Sequence, residues 1–93
     1  MPSLIITITN PEGLHARPAA LFVKVANKFP CMIELRHLSK NKPPVNAKSI
    51  LGVLTLGVNQ GDIIEIITNG EKAQEALNVL KELIESNFEK IEI

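Results

Sequence analysis

The chain has 93 residues, ten basic and ten acidic side chains, a formal net charge of zero, and 45% hydrophobic but only 3% aromatic content. That length fits one small domain over residues 1–93, with a single core built from Ile, Leu, Val and Ala. Zero net charge and the lack of Trp and Tyr argue against a nucleic-acid binder, which needs cationic excess and stacking rings, and the single cysteine, Cys31, excludes an internal disulfide scaffold.

No basic segment followed by an apolar stretch marks a secretory leader, and no apolar run approaches the roughly 20 residues of a membrane span. The expectation is a soluble cytoplasmic protein with no membrane insertion. Leu4 to Thr9 is rich in β-branched residues and reads as a strand, ended by the turn chemistry of Asn10-Pro11-Glu12-Gly13. Ala19, Phe22, Val23, Ala26 and Phe29 then recur at helical spacing, with Pro18 in the first turn and Pro30 as the stop, which predicts a helix over Ala16 to Lys28.

Met32 to Leu38 alternates, with Ile33 and Leu35 inward and Glu34 and Arg36 outward. Ser39 to Pro44 suggests a hairpin loop, Val45-Asn46-Ala47 a short strand, and Ile50, Leu51, Val53 and Leu54 a short helix ending near Gly57. Asn59-Gln60-Gly61 is a turn before a β-branched strand, Asp62 to Thr68, with Ile64 and Ile66 on one face. Between Glu71 and Asn87 an apolar stripe of Ala73, Ala76, Leu77, Leu80, Leu83 and Ile84 predicts the last helix. The tail Phe88 to Ile93 alternates weakly and receives no assignment. The order β-α-β-β-α-β-α predicts an α+β fold, a two-layer sandwich of four strands with the helices on one face of the sheet and water on the other.

The chemistry concentrates in Gly13-Leu14-His15-Ala16-Arg17-Pro18-Ala19. His15 precedes the first predicted helix. The first N–H groups of a helix have no intrahelical partner, and its dipole favours an anion there. Arg17 adds a permanent cation with a donor fork suited to phosphate oxygens. An imidazole is substantially neutral near pH 7 and is then a nucleophile toward phosphorus. Taken alone, a histidine before a helix is an ordinary surface residue and the arginine a solvated charge.

This segment resembles the active-site signature of the HPr proteins, phosphocarriers of the phosphoenolpyruvate-dependent sugar phosphotransferase system, and the resemblance runs from the first strand through the last helix. It implies an open-faced β-sandwich, a four-stranded antiparallel sheet with three helices on one face, which matches the order of elements reached above. It further implies that enzyme I phosphorylates His15 on Nδ1, that Arg17 and the backbone amides of Ala16 and Arg17 hold the phosphoryl group, and that His15 passes it to the EIIA unit of a sugar permease. On this reading the chain is a monomeric carrier, without cofactor or metal, rather than a self-sufficient enzyme. Cations on the first helix meet enzyme I in the family, which makes Lys24 a candidate contact.

The second informative stretch is Val45 to Gly57. Ser49 is placed to N-cap the short helix. Ile50, Leu51 and Leu54 are too many apolar residues for so short a helix to bury, and an apolar patch there would be a docking surface. Ser49 and Gly52 resemble the regulatory site of HPr from Gram-positive bacteria, the type the chain is closest to. The resemblance implies phosphorylation of Ser49 by HPr kinase/phosphorylase and pairing with the catabolite control protein. Phosphate at Ser49 would be tolerated by the helix dipole and would weaken docking to an acidic enzyme I.

Glu12 replaces a small polar residue common in the family. The loop Ser39 to Pro44 is longer than usual there and reads as a tolerated insertion, remote from His15 in the expected fold. His37 is expected on the second strand or its edge as an ordinary residue, and Cys31 as a small buried hydrophobe. No Cys and His spacing suits a metal. Two other readings remain open at this point: an HPr-like carrier of a nitrogen-linked relay, and an α+β interaction module without phosphotransfer. Neither the sugar nor the permease is legible.

Overall fold

The computed structural model describes residues 2–89. Its elements follow the expected order: β1 (Ser3–Thr7), α1 (Ala16–Ala26), β2 (Met32–His37), β3 (Val45–Asn46), α2 (Ile50–Thr55), β4 (Ile63–Asn69) and α3 (Ala73–Glu85). The strands form one antiparallel sheet in the order β1-β4-β2-β3.

Strand alternation sets the two faces of the sheet. Ile33, Leu35, Ile64 and Ile66 point inward, with Leu35 opposite Ile66 in the register. They meet Phe22, Val25 and Ala26 of α1, Val53 of α2, and Leu80, Leu83 and Ile84 of α3 in one aliphatic core. Each large side chain fully buried there contributes about 1.5–3 kcal/mol from removal of apolar surface from water. The other face is open, with Ile5 and Met32 exposed and Arg36 only 3.8 Å from Glu65 across the β2–β4 pair. That exposed ion pair adds little stability.

The helix ends show where local chemistry acts. α1 stops at Ala26 rather than the expected Lys28, because the Asn27 side-chain amide donates to Val23 O at 2.9 Å and to Lys48 O at 3.1 Å. α2 is capped as expected, with Ser49 Oγ accepting the Gly52 N–H at 3.2 Å. α3 ends in a Schellman motif: Asn87 is left-handed (φ +56°), its N–H bonds Ile84 O, and the Phe88 N–H bonds Leu83 O at 2.8 Å. Phe88, which periodicity left unassigned, is thereby carried into the core and fully buried. Residues 90–93 of that tail lie outside the described residues.

The loop after β2 folds back onto the molecule. Lys40 Nζ donates to Gly57 O and Lys42 Nζ to Thr55 O, each at 3.2 Å, and Ser39 Oγ accepts the Ile63 N–H. The loop is therefore tied to the end of α2 and the start of β4.

Candidate functional site

The segment before α1 is held on two sides. Within it, the Gly13 N–H donates to Asn10 O and the Asn10 side-chain amide donates to Gly13 O at 2.8 Å, closing the loop after β1. Against the turn before β4, the Leu14 N–H donates to Val58 O at 3.0 Å while the Leu14 side chain is fully buried. Gly13 makes this approach possible. Its φ is +62°, and a Cβ there would sit 2.4 Å from Val58 O and 2.8 Å from Asn59 Cα.

His15 leaves this clamp with extended backbone (φ −120°, ψ 161°) as the N-cap of α1, and its side chain does not cap the helix. Ala16 follows with φ +48°. Left-handed backbone costs an L-residue about 1–2 kcal/mol, so the surrounding contacts hold the helix start in a strained form. The amides of Ala16 and Arg17 begin the helix without intrahelical partners, Pro18 has no N–H, and no acidic residue occupies the first turn. Arg17 is exposed and makes no hydrogen bond or ion pair among the described residues.

The ring of His15 is half-buried, and its Nε2 lies 2.9 Å from Asn59 Oδ1. With the amide oriented oxygen-first, Asn59 can only accept, so Nε2 carries the proton. A neutral ring in that tautomer has its lone pair on Nδ1, which has no hydrogen-bond partner among the described residues. The arrangement combines a nucleophilic nitrogen, a free guanidinium and the first amides of a helix.

Around this centre the other candidates separate. α2 packs against α1, with Val53 buried and Ile50, Leu51 and Leu54 exposed by 42, 72 and 39%. Lys24 is exposed but sits in the last turn of α1, about 12 Å along the axis from Ala16 at 1.5 Å per residue. Cys31 is buried, as expected of a small hydrophobe. His37 is fully buried within β2 and bonded to Asp62. Asn59 was read from sequence only as a turn residue and not as part of the site, and the strain at Ala16 was not expected. The signal available for Asn59 was its place in an Asn-Gln-Gly-Asp turn, where Asn and Asp side chains bond nearby polar groups. Among the described residues no group of His, Cys, Asp and Glu could hold a metal ion, and no helix is long and apolar enough to cross a membrane.

The comparisons agree on one family. Residues 3–86 match the family model described as the PTS HPr component phosphorylation site. Phosphocarrier protein HPr of Pseudomonas aeruginosa is 44% identical over 90 residues, covering 97% of this chain and 98% of that protein. The crystal structure of HPr from Thermoanaerobacter tengcongensis superposes with a TM-score of 0.90 at 45% identity, with 100% of both chains covered. HPr from Bacillus anthracis gives a TM-score of 0.82 at 38% identity, covering 89% of this chain and 95% of that one. With the fold, the histidine before α1 and the match over nearly the whole length in agreement, the chain belongs to the HPr family of phosphocarrier proteins of the phosphotransferase system.

Proposed function

We propose that His15 is the phosphoryl acceptor, taking the group from phosphorylated enzyme I on Nδ1 and passing it to the EIIA units of sugar permeases. The observation that supports this most directly is the commitment of Nε2 to Asn59, which directs the lone pair to Nδ1. In the transfer step Nδ1 attacks phosphorus, the bond between phosphorus and the donor group on enzyme I breaks, and the donor keeps the electron pair. The His15 ring retains its Nε2 proton and becomes positively charged. Asn59 Oδ1 accepts from that proton and stabilises the charge, while Arg17 and the amides of Ala16 and Arg17 receive the phosphoryl oxygens. The reverse sequence delivers the group to EIIA, so the chain is a carrier acting in the cytoplasm between two partners.

Partner docking falls to the exposed side chains of α2, Ile50, Leu51 and Leu54, together with Ala16 and, at the far end of α1, Lys24. Ser49 lies at the start of that apolar surface. A phosphate on it, added by an HPr kinase/phosphorylase, places negative charge within the docking face and lowers the rate of His15 phosphorylation. The same modified face would serve a catabolite control protein.

Labelled phosphoenolpyruvate with enzyme I tests the acceptor. Acid-labile label is expected on the wild type and none on His15→Ala; label retained on that variant overturns the assignment. ATP with an HPr kinase, followed by mass mapping, tests Ser49. An acid-stable phosphate there is expected, and its absence reduces Ser49 to a helix cap.

A further inference from the structure

The hydrogen bond to His15 is itself supported from the far side of Asn59. Asp62 Oδ2 accepts the Asn59 backbone N–H at 2.8 Å and the His37 Nε2–H at 3.0 Å. The Asp62 N–H returns to Asn59 O at 3.1 Å, closing the turn. His37 is fixed in turn, because its Nδ1 accepts the Ser39 N–H at 3.2 Å. An accepting Nδ1 puts the proton on Nε2, so both ring nitrogens of this fully buried histidine are satisfied in the neutral form. Gly13 packs closely against the Asn59 backbone. The Asn59 main chain is thus in contact both with the loop that carries His15 and with a carboxylate anchored to the sheet through His37.

From this chain of contacts we propose that Asp62 and His37 are positioning residues for phosphoryl transfer. They hold the turn so that Asn59 presents Oδ1 to His15 Nε2, and so they set which nitrogen of His15 is the nucleophile. The proposal rests on the reading of His15 as acceptor and extends it to two residues that do not touch the reacting atoms. A single carboxylate would suffice to close a turn of this kind. The buried histidine at the end of β2 aims the same carboxylate oxygen at the Asn59 N–H and couples the site to the loop beginning at Ser39.

The test uses the full chain with 15N-labelled histidine. In the wild type, His15 Nε2 should resonate as a protonated nitrogen and Nδ1 as a lone-pair nitrogen. In Asp62→Ala the two resonances should move toward each other as the tautomers exchange, and transfer from phosphorylated enzyme I should slow about fivefold, the size of one lost hydrogen bond. Asn59→Ala should show the same loss, and the double variant should be no slower than Asn59→Ala alone. Asp62→Asn keeps an oxygen acceptor and should retain the wild-type resonances. Unchanged His15 resonances in Asp62→Ala, or losses that add in full, would overturn the proposal. Because the resonances need no phosphoryl donor, they report on positioning even where His15→Ala fails to abolish labelling.

Discussion

Replacing Gly13 by alanine isolates the contact on which the site is assembled. Two effects combine. The residue has φ +62°, and an added Cβ would lie 2.4 Å from Val58 O, 2.8 Å from Asn59 Cα and 3.1 Å from Asn59 C, all backbone atoms that cannot swing aside. The left-handed conformation costs about 1–2 kcal/mol, the stiffer unfolded chain returns about 0.4–1, and displacing packed backbone adds about 1–3, for a net loss near 3 kcal/mol. Gly57 supplies the control. Its φ is +61°, but its Cβ would meet only the flexible end of Lys40 at 3.2 Å. Gly57→Ala should therefore lose only the conformational part, about 1 kcal/mol. Urea denaturation of both variants gives the difference. Gly13→Ala should also break the Leu14 N–H to Val58 O bond and move Asn59 away from His15, slowing phosphoryl transfer, whereas Gly57→Ala should not. Equal stability losses in the two variants, or unimpaired transfer in Gly13→Ala, would refute the argument that the 13–14 segment is clamped against the 58–59 turn.

Four further outcomes follow from the same geometry. The Asn59 N–H holds the Asp62 carboxyl below its ordinary value of 3.8, with His37 and Lys40 helping and partial burial opposing. A folded-state value below the unfolded one gives stability that is present above the unfolded value and lost as pH falls through the folded one, so the stability gap between wild type and Asp62→Asn should narrow as pH falls through 3.8 and below in pH-dependent denaturation. Leu51→Ser, at a side chain 72% exposed, should change stability by less than about 0.5 kcal/mol while weakening the apparent affinity for enzyme I about fivefold or more in steady-state labelling. Ala16→Gly relieves about 1–2 kcal/mol of left-handed strain and costs about 0.5–1 in chain entropy, so its melting temperature should rise by a few degrees. Phe88→Ala empties a fully buried site at the end of α3 and should lose about 3–5 kcal/mol in urea denaturation, far more than a fraying tail would.

The division between what the sequence revealed and what it hid follows the range of the interactions. The α3 stripe of Ala73, Ala76, Leu77, Leu80, Leu83 and Ile84 is read from spacing alone, and the same six residues are the buried ones. Ser49 as a cap and the inward set Ile33, Leu35, Ile64 and Ile66 are equally local readings. Phe88 escaped because its burial depends on the left-handed backbone at Asn87, a residue whose periodicity says only that the helix is ending. Ala16 escaped for the opposite reason. Alanine is the best helix former, so nothing in its identity announces φ +48°, which tertiary contacts impose.

The site shows the same boundary within a few ångströms. His15 and Arg17 are two residues apart and could be paired by eye. The choice between the two nitrogens of His15 came only from the family resemblance; its physical cause could not be paired by eye, because it lies in Asn59, 44 residues further along the chain. Asn59 in turn depends on Asp62, which depends on His37, 25 residues back on another strand. Each of these polar residues is unremarkable in isolation: a turn asparagine, a turn aspartate, a strand histidine. The antiparallel pairing of β2 with β4 sets His37 opposite Ile64, two residues from Asp62, and so converts three separate polar positions into one connected path. Local sequence places a histidine two residues from an arginine at a helix start. On the proposed reading, the sheet register then decides which lone pair that histidine offers.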